Sequence, residues 1–178
     1  MIGRIDLERV IFLDESGVST QMTRLYARCT GGARIHETTP AGRWKILTIV
    51  GAICTRGMLA TMTIEAATDR EIFLAYLDEV LCPKLRIGDV VVMDNLSSHK
   101  VMGVRERIEA VGAQLLYLPP YSPDLNPIEK AWAKLKQLLR AAKARTKEAL
   151  DQAIAQMLPL LTAEDARAWF RLPFSALQ

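Results

Sequence analysis

The sequence predicts an α/β domain in which helices pack on a mixed β-sheet. The first third of the chain contains apolar, β-branched segments separated by short polar stretches, which is typical of an antiparallel meander. Strand-like and helix-like segments then alternate, as they do where helical crossovers join parallel strands. Half of the 178 residues are hydrophobic, so a single domain can bury a substantial core.

The meander is predicted from four segments. The apolar run "RVIFLDESG" ends in acids and predicts a buried strand, and "RLYARCT" predicts a second one. After the loop-like "GGARIHETTPAGR", the β-branched "WKILTIVGAIC" predicts a third strand. "GMLATMTIEAA" continues the sheet, with Gly57 at the turn.

The alternating part begins with "TDREIFLAYLDEVLCPKL", a helical pattern in which Thr68 and Glu71 fit a capping box. "GDVVVMDN" predicts a strand, "HKVMGVRERIEAVG" a helix that ends at Gly112, and "AQLLYLP" a further strand. A long helix is predicted from about Pro127, followed by one or two more helices. One face of the long helix carries Trp132, Leu135, Leu139 and Ala142.

Composition excludes several classes of protein. No apolar run reaches the roughly 20 residues of a membrane span, and the charged N-terminus "MIGRIDLERV" does not resemble a signal peptide. We therefore expect a cytoplasmic protein without a membrane partner. The cysteines are far apart and form no CxxC motif, which argues against disulfides and zinc. We expect all three to be small buried residues: Cys29, Cys54 and Cys82.

Three acids lie where predicted elements begin or end. Asp14 closes the first strand, Asp94 closes "VVVM", and Glu129 opens the long helix. Ligand sites gather at the carboxyl ends of strands in sheets with parallel crossovers. Clustered carboxylates repel one another, and Mg²⁺, which prefers oxygen ligands, would relieve that repulsion. Two such ions about 4 Å apart can promote attack on a phosphodiester.

Each acid also has a structural interpretation. Asp14 and Asp94 can start turns. Glu129 can complete a capping box with Asn126 as N-cap and Pro127 at the first helical position. Capping and catalysis are compatible, since the positive end of the helix dipole keeps a carboxylate in the first turn ionised.

Glu15 is the neighbour of Asp14, and successive strand residues face opposite ways. The two side chains are therefore not expected to bind one metal together. Asp14 directly follows the apolar run and is the predicted ligand, whereas Glu15 is expected to have a supporting or structural role.

A basic block follows Glu129, with seven basic and no acidic residues between positions 130 and 147. Such a block suits a polyanion, although charge alone favours a solvated helix face. Its members are Lys130, Lys134, Lys136, Arg140, Lys143, Arg145 and Lys147.

Three motifs give the chain a family resemblance. "LDESG", "VVMDNLSSHK" and "LPPYSPDLNPIEKAWAKLK" closely resemble the catalytic domain of IS630-type transposases, which are related to the Tc1/mariner group. The 34 residues between Asp94 and Glu129 match the spacing of the Tc1-like branch of DDE enzymes. The resemblance covers roughly residues 10–147.

The resemblance implies an RNase H-like fold, with helices on both faces of the sheet and the two aspartate-bearing strands side by side. It also implies two-metal DNA cleavage at transposon ends and strand transfer into a target, usually at TA. The expected cofactor is two Mg²⁺ or Mn²⁺ ions. Asp14 would bridge both ions, Asp94 would complete one metal site and Glu129 the other.

Further candidates follow the same motifs. Asn95 could bind a metal-bound water or the DNA backbone, and His99 fits either this pattern or the start of a helix. Prolines at 119, 120, 123 and 127 stiffen the loop before Glu129. This loop either presents Tyr121 and Ser122 to DNA or is a purely structural turn. The expected phosphate contacts are Lys130, Lys134, Lys136, Arg140, Lys143 and Lys147.

Family members carry N-terminal helix-turn-helix modules, for which residues 1–178 leave no room because the first strand begins near residue 9. We expect one catalytic domain that is either a fragment or the downstream frame of an element whose upstream frame encodes the DNA-binding polypeptide. A dimer on DNA and association with the bacterial nucleoid follow by resemblance. Two alternatives are an RNase H-like nuclease without strand transfer and an inactive remnant that binds only DNA or a partner.

Overall fold

The computed structural model describes residues 6–175 except 25, 27, 30, 32–35, 37–41, 66, 95–101 and 120–124. The candidates Asn95, His99, Tyr121 and Ser122 lie outside the described residues.

Five strands form one mixed sheet, which confirms the predicted fold class. The spatial order is β3-β2-β1-β4-β5. The first three strands are antiparallel neighbours, whereas β4 is parallel to both β1 and β5. The strands are β1 Val10–Ser19, β2 Ile46–Cys54, β3 Gly57–Ile64, β4 Val90–Met93 and β5 Gln114–Tyr117.

Helices cover both faces of this sheet. Along β1, alternate side chains enter two cores: Phe12 packs with the C-terminal helices, and Leu13 packs with the two earlier helices. None of the helices among the described residues is long and apolar enough to cross a membrane. The helices are α1 Arg70–Tyr76, α2 Val104–Ala110, α3 Ile128–Ala142, α4 Lys147–Met157 and α5 Ala163–Ser175.

Helix α3 buries the predicted apolar face against the sheet. Trp132, Leu135 and Leu139 are buried, whereas Ala142 in the last turn is exposed. The spacing of three and four residues places the buried side chains on one stripe. This packing fixes the helix on which Glu129 is carried.

The N-terminus of α1 differs from the prediction. Asp69, rather than Thr68, is the N-cap, and its carboxylate accepts a hydrogen bond of 2.9 Å from the backbone N–H of Ile72. The Thr68 hydroxyl is buried and has no hydrogen-bond partner among the residues that the structure describes, so the predicted capping box is wrong. Asp69 has the extended backbone typical of an N-cap residue, which directs its own side chain toward the N–H groups of the first turn of α1.

Two other local predictions are wrong. In "RLYARCT", the described residues Arg24, Tyr26, Arg28 and Cys29 lie outside any strand, because β2 and β4 already occupy the two edges of β1. Cys29 is consequently exposed, although the other two cysteines are buried as predicted.

The helix predicted from "HKVMGVRERIEAVG" begins only at Val104. Gly103 precedes it with a φ of 102°, a conformation that favours glycine. Gly112 follows its end with a φ of 80°, as the predicted terminating role requires.

Candidate active site

Asp14 lies in the middle of β1 and not at its end, as the sequence suggested. β1 continues to Ser19, but its parallel neighbour β4 stops at Met93, the register partner of Leu13. Asp14 is therefore the first residue of β1 beyond the end of β4. On its other side it pairs with Gly51 of β2.

Asp94 directly follows Met93, so the two aspartates come after paired residues of neighbouring parallel strands. This confirms the expectation that the two aspartate-bearing strands lie side by side. Both aspartates are partly buried.

Asp14 and Glu129 line the same cleft, which has a volume of about 460 Å³. Glu129 is exposed in the first turn of α3, and the packing of that helix on β1 brings it beside the strand. The other lining residues are Glu15, Ser16, Trp132, Ala133, Lys136 and Arg140.

Asp94 is not among the residues that line this cleft. Within the part of the chain that the structure describes, no group of three or more His, Cys, Asp or Glu side chains could hold a metal ion. The fold thus brings two of the three predicted acids into one cleft and places the third after the neighbouring strand.

Trp132 contacts Asp14 directly, and sequence reasoning missed this contact. The indole Nε1–H donates a hydrogen bond of 3.1 Å to Asp14 Oδ2. The sequence pattern identified Trp132 only as a residue of the buried helix face. Its spacing of three residues from Glu129 was the available signal that it lies near the same site.

The predicted capping box at α3 does not form. The helix begins at Ile128, and none of the described side chains caps it. Asn126 is buried, and its Oδ1 has no hydrogen-bond partner within the described part of the chain. The Asn126 carbonyl instead accepts the Glu129 N–H at 3.2 Å, so a tight backbone turn replaces the side-chain cap.

The basic block does not form a single surface. Lys136 and Arg140 line the cleft with Asp14 and Glu129. Lys130 and Lys143 are exposed on α3 and at its end, respectively. Arg145 donates hydrogen bonds of 3.0 Å to the backbone carbonyls of Thr20 and Met22.

Two lysines of the block form ion pairs away from the cleft. Lys134 contacts Asp165 of α5, and this hydrogen bond, with those from Thr162, lowers the pKa of Asp165 to about 2. Lys147 contacts Glu65 at 2.6 Å, which raises the pKa of Lys147. These contacts give both lysines a structural role.

A second cleft of about 650 Å³ adjoins the first and shares Ala133 and Arg140 with it. We call it the arginine groove, because it contains three arginines and an exposed tyrosine. No local sequence pattern indicated this groove, because its two sides are distant along the chain. It is lined by Arg24, Tyr26, Arg28, Ala133, Gln137, Arg140 and Ala141.

Comparisons with known proteins identify the family. Residues 9–151 match the family described as DDE superfamily endonuclease. A search of curated proteins found no match to this chain.

Solved structures with the same fold include Mos1 transposase. In the paired-end complex with the left transposon end, Mos1 is 18% identical, with a TM-score of 0.78 over 94% of this chain and 53% of that chain. The catalytic domain of Mos1 mariner transposase is 17% identical, with a TM-score of 0.69 over 94% of this chain and 78% of that chain.

The chain therefore spans about half the length of the Mos1 protein in the paired-end complex. These likenesses show a shared fold, and the family match covers most of the chain. Together they confirm the family resemblance of the sequence motifs: the chain belongs to the DDE superfamily endonuclease family and has the fold of a mariner transposase catalytic domain.

Proposed function

We propose that this chain is the catalytic domain of a transposase that cuts DNA at the ends of an insertion sequence and joins those ends to a target. The observation that carries this proposal is that Asp14 and Glu129, which are far apart in the sequence, line one cleft. Asp94 follows the parallel strand next to Asp14 and supplies the third acid.

The proposed cofactor is a pair of Mg²⁺ or Mn²⁺ ions. Carboxylate oxygens are the ligands that these hard cations prefer, and Mos1 complexes have been solved with Mn and with Mg. We propose that Asp14 contributes to both ions, Asp94 to one and Glu129 to the other. When bound, such ions activate the attacking oxygen and stabilise the leaving oxygen of a phosphodiester.

DNA is the proposed substrate, as transposon-end DNA is for Mos1 in its paired-end complex. Lys136 and Arg140 give the acidic cleft cationic walls that can hold phosphates near the carboxylates. The arginine groove extends this charge, and Tyr26, 89% exposed, offers a ring on which a base can stack. The proposed path of the DNA therefore runs along α3.

The remaining residue assignments stay proposals. Glu15 and Asn126 would support the site from partly or fully buried positions. Asn95, His99, Tyr121 and Ser122 keep the DNA-contact or supporting roles that the motifs imply. The phosphate contacts proposed for Lys130 and Lys143 depend on where the DNA leaves the cleft.

The proposed assembly and cellular location also rest on the family resemblance of the sequence motifs. A dimer would hold two transposon ends, and an upstream-frame polypeptide would recognise the end sequences. The cytoplasm and the bacterial nucleoid are the expected locations for a protein with this substrate.

The deciding experiment supplies the chain with pre-cut, labelled transposon-end duplexes, a target plasmid and Mg²⁺. Joined products are expected, because the proposed site carries out transesterification as well as cleavage. Cleavage without joining would support the RNase H-like nuclease. An inactive remnant would bind the duplex but form neither cleaved nor joined product. In that case a marked element would also fail to transpose, with or without the upstream polypeptide.

A further inference from the structure

We propose that Trp132 is a positioning residue that holds the Asp14 carboxylate in place for the metal and links it to the helix of Glu129. This inference rests on the proposed function, since it concerns how the same site is built. Its evidence is independent of the family match and consists of one hydrogen bond and one close packing contact.

The hydrogen bond is the first observation. Trp132 is only 4% exposed, and its indole N–H donates to Asp14 Oδ2 at 3.1 Å. A buried indole N–H needs an acceptor, and a carboxylate makes a stronger, charge-assisted bond than a neutral oxygen does. A carboxylate has about four lone-pair sites, so accepting this bond leaves its oxygens able to bind a cation.

The packing of the indole ring is the second observation. Gly51 is the register partner of Asp14 on β2. A Cβ atom at Gly51 would lie 2.5 Å from Trp132 Cη2, which is closer than Cβ atoms come to other atoms, and 3.0 Å from Cζ2, which is a tight contact. The backbone of Gly51 does not have a positive φ, so the missing side chain, rather than conformational freedom, makes room for the ring.

These two contacts fix the indole from both sides. The ring rests on the backbone opposite Asp14, and its N–H reaches the carboxylate itself. Trp132 also lies three residues after Glu129, so both side chains project from one side of α3. A single rigid side chain thus couples the strand of Asp14 to the helix of Glu129.

A tryptophan with a purely structural role would contribute only by filling space in the core, without need of its N–H. Phenylalanine would then replace it with some loss of stability and no particular effect on metal binding. A positioning residue predicts a separate loss of metal affinity, because residues that orient metal ligands commonly change affinity or activity 10- to 100-fold when replaced.

The test compares Trp132→Phe with Trp169→Phe, a matched control that removes a partly buried indole of α5 packed on the same core. Mn²⁺ binding is measured by calorimetry in the absence of DNA. We expect about tenfold weaker binding for Trp132→Phe and wild-type binding for the control. In DNA cleavage, the KM for Mn²⁺ should rise by a similar factor, while kcat at saturating Mn²⁺ falls less.

A second variant guards against misfolding. β-(3-Benzothienyl)alanine at position 132, in a Trp44→Phe/Trp169→Phe background, keeps the bicyclic shape and replaces the N–H by sulfur. It should reproduce the loss of Mn²⁺ affinity while the melting temperature stays near that of the background protein. Gly51→Ala, which displaces the ring but keeps the N–H, should weaken Mn²⁺ binding as well.

Wild-type Mn²⁺ affinity in both Trp132 variants would overturn the positioning role and leave the proposed function standing. If the wild-type protein itself neither binds Mn²⁺ nor cleaves DNA, the proposed function fails, and this inference fails with it.

Discussion

Leu13 and Met93 are register partners in the parallel pair of β1 and β4, and an aspartate follows each of them. β4 stops there while β1 continues to Ser19. Asp14 therefore lies beside the end of a shorter neighbour, the kind of position where sheets with parallel crossovers bind ligands. Asp94 occupies the corresponding position directly after β4.

Asp94→Asn tests the importance of that position. The change keeps the size of the side chain but removes the charge that a divalent cation needs. We expect Mg²⁺-dependent nicking of a supercoiled plasmid to fall by at least about 10³-fold, because metal ions contribute several kcal/mol to such transition states. The melting temperature followed by circular dichroism should not decrease.

Asp151→Asn is the matched control for this variant. Asp151 is an exposed α4 residue that accepts a hydrogen bond of 2.8 Å from the Thr63 hydroxyl. It should nick DNA at the wild-type rate. Nicking that survives in Asp94→Asn would count heavily against the proposed site.

Arg140→Gln and Lys147→Gln separate two members of the basic block. Arg140 lines both clefts, whereas the Lys147 ammonium is already paired with Glu65. We expect Arg140→Gln to weaken binding to a labelled duplex and to reduce the slope of log K against log salt by about one. Lys147→Gln should leave both nearly unchanged in fluorescence anisotropy titrations. Wild-type affinity and salt dependence in Arg140→Gln would show that the DNA does not follow the arginine groove.

The Asp165 carboxylate is expected to make the folding stability of the protein depend on pH under acidic conditions. Hydrogen bonds from Lys134 and Thr162 lower its pKa from 3.8 to about 2 in the folded protein. Because the folded pKa lies below the unfolded one, the stabilisation is complete above the unfolded pKa and is lost as the pH falls toward 2.

Asp165→Asn should therefore melt at a lower temperature than the wild type at pH 6, and the difference should shrink between about pH 4 and pH 2. Thermal melts over this range provide the measurement. Glu164→Gln, an exposed neighbour in the same helical turn, is the control and should show a smaller difference at each pH. A gap that stays constant with pH would exclude the ion pair as its source.

Asp69→Ala and Thr68→Ala test which residue caps α1. Loss of the Asp69 cap should lower the free energy of unfolding by about 1 kcal/mol, because the Ile72 N–H loses its acceptor. Thr68→Ala should cost less, since the Thr68 hydroxyl makes no hydrogen bond to any residue that the structure describes. Urea unfolding curves measure both, and a larger loss for Thr68→Ala would restore the capping box predicted from sequence.

The success of the strand predictions depended on where each segment lies in the sheet. The apolar runs that became β1, β2 and β4 are largely buried inside the sheet, and β5, at its edge, still buries Leu115, so their apolar composition identified them. "RLYARCT" also contains strand-compatible residues, but β2 and β4 occupy both edges of β1, and its described residues lie outside any strand. Composition therefore predicts what can form a strand and not whether a partner is available.

The basic block shows the same limit for charge. Sequence placed Lys134, Lys136, Arg140 and Lys147 in one group because they are close along the chain. The helix directs Lys136 and Arg140 to the cleft, while Lys134 and Lys147 meet acids on α5 and after β3. Which lysine faces DNA and which supports the fold depends on the neighbours that packing supplies.

The sequence by itself determined the mixed sheet and the family, and it predicted the three acids as site residues, because apolar periodicity and motif spacing are local properties of the chain. Tertiary structure alone decided that β1 extends beyond the end of β4 from Asp14 onward, that Gly51 leaves space for an indole, and that Trp132 donates a hydrogen bond to the Asp14 carboxylate. Those contacts join residues remote in the chain, and their distances are set by strand register and helix packing, which no local pattern encodes.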